Sequence, residues 1–339
     1  MTTTVRKRTQ ADRPGRGVFE LARRTTTRFP LLQIVLLGAL FLYGSSTIDG
    51  YSSRSSVFSM LVLASFLGLA AAGQTLVILL GGIDLSVPFV IGAANVLTAE
   101  LTGGSGWPFW AACLFIGAAS LVVGGLAGFL SHRFEIHPLI ITLGLGSMVG
   151  GGVLVWTKAE LTGGAPSYLS TFVSPGKDTY GFPLPPVVVF WLVLSLVLML
   201  ALQKTSVGRR LYATGANMRG AQLALVSTGR VWTGTFAVSA LFSALTGVLL
   251  TGFSGTGLFI IGDPYLFTSI ASVVIGGTSL LGARGDYFRT ILGALILIQT
   301  TTLLVGEGFD APTQQVILGA LIVLFVATYA REPHVRSRI

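Results

Sequence analysis

Ten apolar runs divide the chain, at 30–48, 57–80, 87–102, 107–130, 138–156, 185–202, 231–250, 264–281, 288–305 and 313–330. Stretches rich in charge, Gly or Pro separate them. Several of the runs reach about 18–22 residues, enough for a helix to cross a hydrocarbon layer of roughly 30 Å. Continuous apolarity excludes the alternating pattern of a transmembrane barrel strand. The pattern predicts an all-α fold, a polytopic transmembrane helical bundle of about ten spans. The run 87–102 fits least well, because it carries Asn95 and Glu100.

Composition supports this reading. Charged residues make up 10% of the 339, against 52% hydrophobic, where a water-soluble domain carries about a quarter charged. The net charge of +9 is a matter of position, not of nucleic-acid binding. With the N-terminus inside, 19 of the 22 Lys and Arg fall in inner segments, and Arg54, Lys158 and Lys177 fall outside. That bias predicts cytoplasmic N- and C-termini. It also predicts three regions: a basic N-terminal segment 1–29, a transmembrane domain 30–330 and a basic tail 331–339. A cleaved leader is not expected, since 29 residues precede the first apolar run. Cys113 stands alone, which excludes an intrachain disulfide.

The stretch GGIDLSVPFV (81–90) interrupts the apolar pattern. An Asp at the centre of a membrane helix costs about 2.5–3.5 kcal/mol on insertion scales. Gly81 and Gly82 let the chain leave the helix before Asp84. Pro belongs in a first helical turn, so Ser86 is predicted as N-cap with Pro88 as second helical residue. The Asp84 carboxylate is then left for a tertiary or inter-subunit partner, or for solvent. GGTSLLG (276–282) echoes GGIDLS, and this marks Gly81, Gly82, Asp84, Ser86, Gly276 and Gly277 as candidate gating positions. Gly124/Gly128 and Gly146/Gly150 have the small-xxx-small spacing that lets helices approach closely in lipid.

The inner segment 203–230 carries five cations. Within it, 205–230 is the candidate coupling segment. Asn217 is placed to cap a short amphipathic helix with Ala221, Leu223 and Leu225 along one apolar edge, a docking surface at the inner face. No P-loop occurs, so the chain supplies no nucleotide chemistry of its own. No catalytic motif is present. HRFEIHP (132–138) imitates metal-ligand spacing but reads as a solvated loop, and no metal is predicted.

GQTLVILLGGIDLSV (73–87), IHPLIITLG (136–144), TSVGRRLYATGAN (205–217) and IASVVIGGTSLLG (270–282) resemble permease subunits of ribose-type monosaccharide ABC importers. The resemblance covers about 60–300. It implies a multi-pass protein of the bacterial inner membrane that pairs with a second permease copy or paralogue. It also implies a periplasmic sugar-binding protein, a cytoplasmic ABC ATPase, and ATP and Mg on that ATPase with no cofactor on this chain. Gly208, Arg209, Arg210, Gly215, Asn217, Ala221, Leu223 and Leu225 match the family's coupling region. Three positions depart from the family pattern: Leu225 where Gly is common, Pro88 after I-D-L-S-V, and Leu266-Phe267 where Glu-Leu is common. Gln74, Asn95 and Gln299 are candidates to line the path, and equally candidates for interhelical hydrogen bonds. Membrane lipid is the expected surround.

Two other classes compete. An ion-coupled secondary transporter needs ionisable residues near the bilayer midplane, whereas the acidic residues here sit mostly at span ends. A purely structural subunit predicts normal uptake after deletion. Within the ABC class, a nucleoside or branched-chain amino acid permease is the alternative.

Overall fold

The computed structural model describes residues 30–158 and 163–329. The basic segments predicted at 1–29 and 331–339 therefore lie outside the described residues. Thirteen α-helices follow in order among the described residues: α1 (Leu31–Thr47), α2 (Arg54–Leu79), α3 (Val87–Ala99), α4 (Phe109–Phe134), α5 (Pro138–Trp156), α6 (Ser167–Val173), α7 (Pro186–Lys204), α8 (Ser206–Ala216), α9 (Met218–Leu223), α10 (Thr228–Ser254), α11 (Tyr265–Ile275), α12 (Tyr287–Gly306) and α13 (Ala311–Tyr329). Two isolated bridges, Gly164 with Thr256 and Thr179 with Phe182, are the extended pairings among the described residues. The protein is all-helical, as the apolar pattern predicts.

Each of the ten apolar runs falls on a helix. Among the described residues, seven helices are long and apolar enough to cross a membrane: 54–79, 87–104, 109–134, 138–156, 186–204, 228–254 and 287–306. The run 87–102 is among them, because a π-turn at Glu100–Gly104 carries α3 onward. Glu100 Oε1 accepts from Gly163 N at 2.8 Å, which ties that turn to the connection between α5 and α6.

The run 264–281 requires correction. Its helix stops at Ile275, preceded by a 3-10 turn at Phe259–Gly262. Gly277 adopts φ +87 and breaks the ladder. The segment 131–137 shortens in the opposite direction. α4 continues through His132 and Arg133 to Phe134, then ends on Glu135 at φ 55. Segment 203–230 is likewise more ordered than its charges imply, since it holds both α8 and α9.

The helices form two environments. α2 is buried at every residue from Ala64 to Leu79, and α10 packs beside it with α3 and α4. α4, α5 and α7 instead expose apolar faces that include Val122, Met148 and Val197. Faces of that size in water would drive association, whereas lipid solvates them. Close packing uses the small residues expected for it. A Cβ on Gly128 would press on the Thr233 backbone of α10 at 2.9 Å, and one on Gly150 would press on the Phe259 ring at 2.6 Å.

Candidate functional site

Two helix ends are built alike. After α2, Gly81 takes φ +89, Gly82 N donates to Val77 O (3.0 Å) and Gly81 N donates to Ile78 O (2.9 Å). After α11, Gly277 takes φ +87, Thr278 N donates to Val273 O (3.1 Å) and Gly277 N donates to Val274 O (2.8 Å). Both are left-handed caps closed by a 6→1 and a 5→2 bond. The sequence echo is therefore structural, with one register correction. Gly81 corresponds to Gly277, not to Gly276. Gly276 keeps a helical backbone and is buried, and its carbonyl accepts from Gln33 Nε2 of α1 at 3.2 Å.

Beyond the first cap lies Asp84, 2% exposed. Ser86 occupies the N-cap position of α3 and Pro88 the second helical position, as predicted, but the Ser86 side chain does not cap the helix. Its Oγ donates to Asp84 Oδ1 (2.6 Å), and its N–H donates to the same oxygen (2.9 Å). Ser239 Oγ of α10 donates to Asp84 Oδ2 at 2.8 Å. The tertiary partner expected for Asp84 is thus Ser239. Burial pushes the Asp84 carboxyl up, and these bonds from Ser86 and Ser239 oppose the rise. Leu85 N donates to Thr142 Oγ1 of α5 at 3.0 Å. This single turn binds α2, α3, α5 and α10 together.

The candidate coupling segment meets the same place. α8 begins at the Thr205 N-cap, whose Oγ1 accepts from Gly208 N at 3.4 Å. Gly208 is buried against the Leu202 backbone, while Arg209 and Arg210 face outward. At the far end of α8, Gly215 abuts the Leu79 carbonyl and lies 3.3 Å, measured from a notional Cβ, from Ala283 N. Ala283 N donates to Leu79 O at 2.8 Å. Gly282, at φ +87, sits so close that a Cβ would lie 3.1 Å from Gly81 N and 3.2 Å from Gly215 O. Three separate motifs thus converge on one glycine junction. Tyr212 Oη donates to Gly285 O at 2.8 Å and fastens α8 to the second loop. Burial, and after it the Asp286 carboxylate, pushes the Tyr212 phenol up to about 12, so it stays a donor at neutral pH.

Asn217 caps α9 as predicted, its Oδ1 accepting from Gly220 N at 3.0 Å. The single apolar edge expected on α9 does not form. Ala221 is 5% exposed, whereas Leu223 is 87% and Leu225 95% exposed. α9 has only six residues, and Leu225 turns away at φ 60. Ala221 therefore packs inward, and the outward pair is Leu223 and Leu225. A second link runs from α9 into the bundle. Gln222 Nε2 donates to Thr228 Oγ1 (3.1 Å), which also pairs with His132 Nε2 (3.0 Å). HRFEIHP accordingly does not gather its residues, for His137 Nδ1 instead accepts from Leu139 N at 3.4 Å. Among the described residues no three metal-capable side chains come together.

The three amides separate. Asn95 Oδ1 accepts from Leu258 N at 2.6 Å, and Gln299 donates to Leu37 O (3.1 Å) and accepts from Phe41 N (2.9 Å). Asn95 Nδ2 also donates to Gly247 O of α10 at 3.5 Å, so for both amides the structure supplies interhelical hydrogen bonds, one of the two readings open for them. Gln74 is fully buried in α2, and neither its Nε2 nor its Oε1 has a partner. Ser239, Tyr212 and Gln33 were not singled out in the sequence. Ser239 and Ser243 lie four apart on one face of α10, and that spacing was the one local signal for the first.

A family described as "Branched-chain amino acid transport system / permease component" matches residues 56–326. The chain is 33% identical over 307 residues to the autoinducer 2 import system permease protein LsrC of Salmonella choleraesuis (strain SC-B67), covering 86% of this chain and 82% of that one. It is 29% identical over 289 residues to the D-allose transport system permease protein AlsC of Escherichia coli (strain K12), covering 84% and 86%. It is 28% identical over 284 residues to the ribose import permease protein RbsC of Haemophilus influenzae (strain ATCC 51907 / DSM 11121 / KW20 / Rd), covering 82% and 85%. No solved structure matches the chain.

Proposed function

This chain belongs to the branched-chain amino acid transport system / permease component family, and on that premise we propose that it is the translocating subunit of an ATP-driven monosaccharide importer. The carrying observation is the glycine junction, where the ends of α2, α8 and α11 meet. Relatives named for ribose, D-allose and autoinducer 2 import support the sugar class.

The proposed protein crosses the bacterial inner membrane about ten times, with both termini cytoplasmic and 1–29 and 331–339 as basic flanks of the domain 30–330. The distribution of Lys and Arg supports this orientation. A second permease copy or paralogue completes the path, and a periplasmic binding protein delivers the sugar. ATP and Mg reside on a cytoplasmic ATPase. That ATPase grips α9 at Leu223 and Leu225, with Val207 and Leu281, also exposed, on the same assigned side.

Movement of α9 is passed inward through two links. α8 carries it to the caps of α2 and α11 by Gly215, Gly282 and the Tyr212 bond. Gln222 and Thr228 carry it to the start of α10 and to His132. Gly81, Gly82, Asp84, Ser86, Gly276 and Gly277 then act as the hinge about which spans tilt between outward and inward opening. Gln74, unpartnered among the buried polar groups, is the one amide kept for the path.

Proteoliposomes holding this chain, its ATPase and its binding protein should take up ribose or allose only with ATP. Uptake by this chain alone on an ion gradient would overturn the reading. The family's description favours a second substrate class, and leucine uptake in place of sugar would establish it. Leu223→Asp with Leu225→Asp should remove the ATPase from the purified permease and cut ATP-driven uptake at least tenfold, since an unpaired charge in a desolvated contact costs several kcal/mol. Ala221→Asp is the poorer test, because Ala221 is buried within the chain itself.

A further inference from the structure

An open cavity of about 480 Å³ lies between the end of α4 and the start of α10. Arg133 and Arg230 contribute to it, with Phe129, Gly229, Thr233 and Gly234, and its lining is predominantly apolar. Among the described residues neither arginine makes an ion pair. The neighbouring His132 has its Nε2 engaged by Thr228, and the exposed Glu135 lies beyond the helix end.

Each guanidinium ends an apolar stripe. On α4, Val122, Leu126, Phe129 and Arg133 recur at helical spacing, and the first three are 61%, 46% and 51% exposed. On α10, Arg230, Gly234, Ala237 and Leu241 recur in the same way, with Leu241 37% exposed. The stripes lie side by side, since a Cβ on Gly125 of α4 would lie 3.8 Å from Thr233 and 3.9 Å from Ala237. The result is a hydrocarbon-facing groove that runs along two spans into a pair of unpaired cations.

We propose that this groove is a binding site for an anionic phospholipid of the inner leaflet, the phosphate held by Arg133 and Arg230 and an acyl chain lying between the two stripes. Guanidinium matches phosphate geometry with paired donors, and basic pockets between transmembrane helices on the cytoplasmic side take such headgroups. A free phosphate would use the cations but not the stripes. The inference stands apart from the import function. Because the site shares His132 and Thr228 with the link from α9, bound lipid also braces the start of α10.

Native mass spectrometry of the intact permease with its ATPase, exchanged into detergent micelles doped with dioleoyl-phosphatidylglycerol or dioleoyl-phosphatidylcholine, tests this directly. The wild type should retain the anionic lipid about tenfold more strongly, and Arg133→Gln with Arg230→Gln should reduce that preference to about twofold or less. Gly234→Leu keeps both cations and fills the groove, since nothing lies within 4 Å of a Cβ there. It should lose the preference as well, and it serves if the arginine variant fails to insert. Unchanged preference in either variant overturns the proposal. So does competition by inorganic phosphate at equal concentration, which would make this a free-anion site. Loss of the ATPase with lipid retained would assign the face to that subunit and overturn it equally.

Discussion

Replacing Asp84 by Leu is expected to lower stability by roughly 3 kcal/mol or more, while Asp84→Asn costs much less. The carboxylate accepts from Ser86 N–H, Ser86 Oγ and Ser239 Oγ, all within 2.9 Å. A buried donor left without an acceptor costs about 1–3 kcal/mol. The Ser239 hydroxyl can turn to a carbonyl in its own helix, but Ser86 is the N-cap, so neither its hydroxyl nor its N–H has an acceptor in a preceding helical turn. Asn keeps an oxygen for Ser86 and offers its amide to the Ser239 hydroxyl, which can accept. Asn is also neutral, so it escapes the desolvation that pushes the Asp84 carboxyl up. A carboxyl raised above its unfolded value contributes most below the ordinary carboxylate range and loses that contribution as pH rises through its folded value. Thermal stability in detergent should therefore decline with rising pH in the wild type more than in Asp84→Asn. Equal melting temperatures for Asp84→Leu and wild type would exclude Asp84 as a tie between helices.

The helices were legible and their junctions only half so. Each of the ten apolar runs falls on a helix, and among the described residues seven of those helices are long enough to cross a membrane, because lipid imposes length and composition on a span regardless of its neighbours. What ends a span is subtler. Gly-Gly appears at 81–82 and 276–277, yet the left-handed residue is the first glycine in one pair and the second in the other. Dipeptide matching misplaces the register for that reason. α8 escaped the sequence reading, which started the helix of the coupling segment only at Asn217, although Gly208, Leu211 and Thr214 are buried along one face. The Asp84–Ser239 bond spans 155 positions, and no local pattern encodes such a separation. Asn95 and Gln299 show the same limit. An amide in an apolar run announces a polar requirement but not whether backbone or passing solute meets it. For α9, helical spacing grouped Ala221 with Leu225, but the helix ends before the spacing can act.

Gly215→Ala should abolish coupling by adding one methyl group. Gly215 is helical, so the change brings no backbone strain and even improves helix propensity. Its cost is steric. The new Cβ would strike the Leu79 carbonyl and crowd Ala283 N at 3.3 Å, where that N–H already donates to Leu79. The obstacle is backbone at a helix end, which cannot swing aside as a side chain would. Overpacking of this kind costs about 1–3 kcal/mol, and here the relief is to part α8 from the two caps. Gly282→Ala adds a left-handed penalty of roughly 1–2 kcal/mol to a similar crowding against Gly81 and Gly215. Gly151→Ala is the control, since nothing lies within 4 Å of a Cβ there, and it should be neutral or stabilising. In Gly215→Ala the Asn217 cap and the exposed Leu223 and Leu225 are untouched, so the ATPase should still co-purify. Sugar-stimulated ATP hydrolysis and uptake should fall together, at least tenfold, because docking persists while its movement no longer reaches α2 and α11. If Gly215→Ala transports at the wild-type rate, the glycine junction is mere packing, and force from α9 must enter through Thr228 alone.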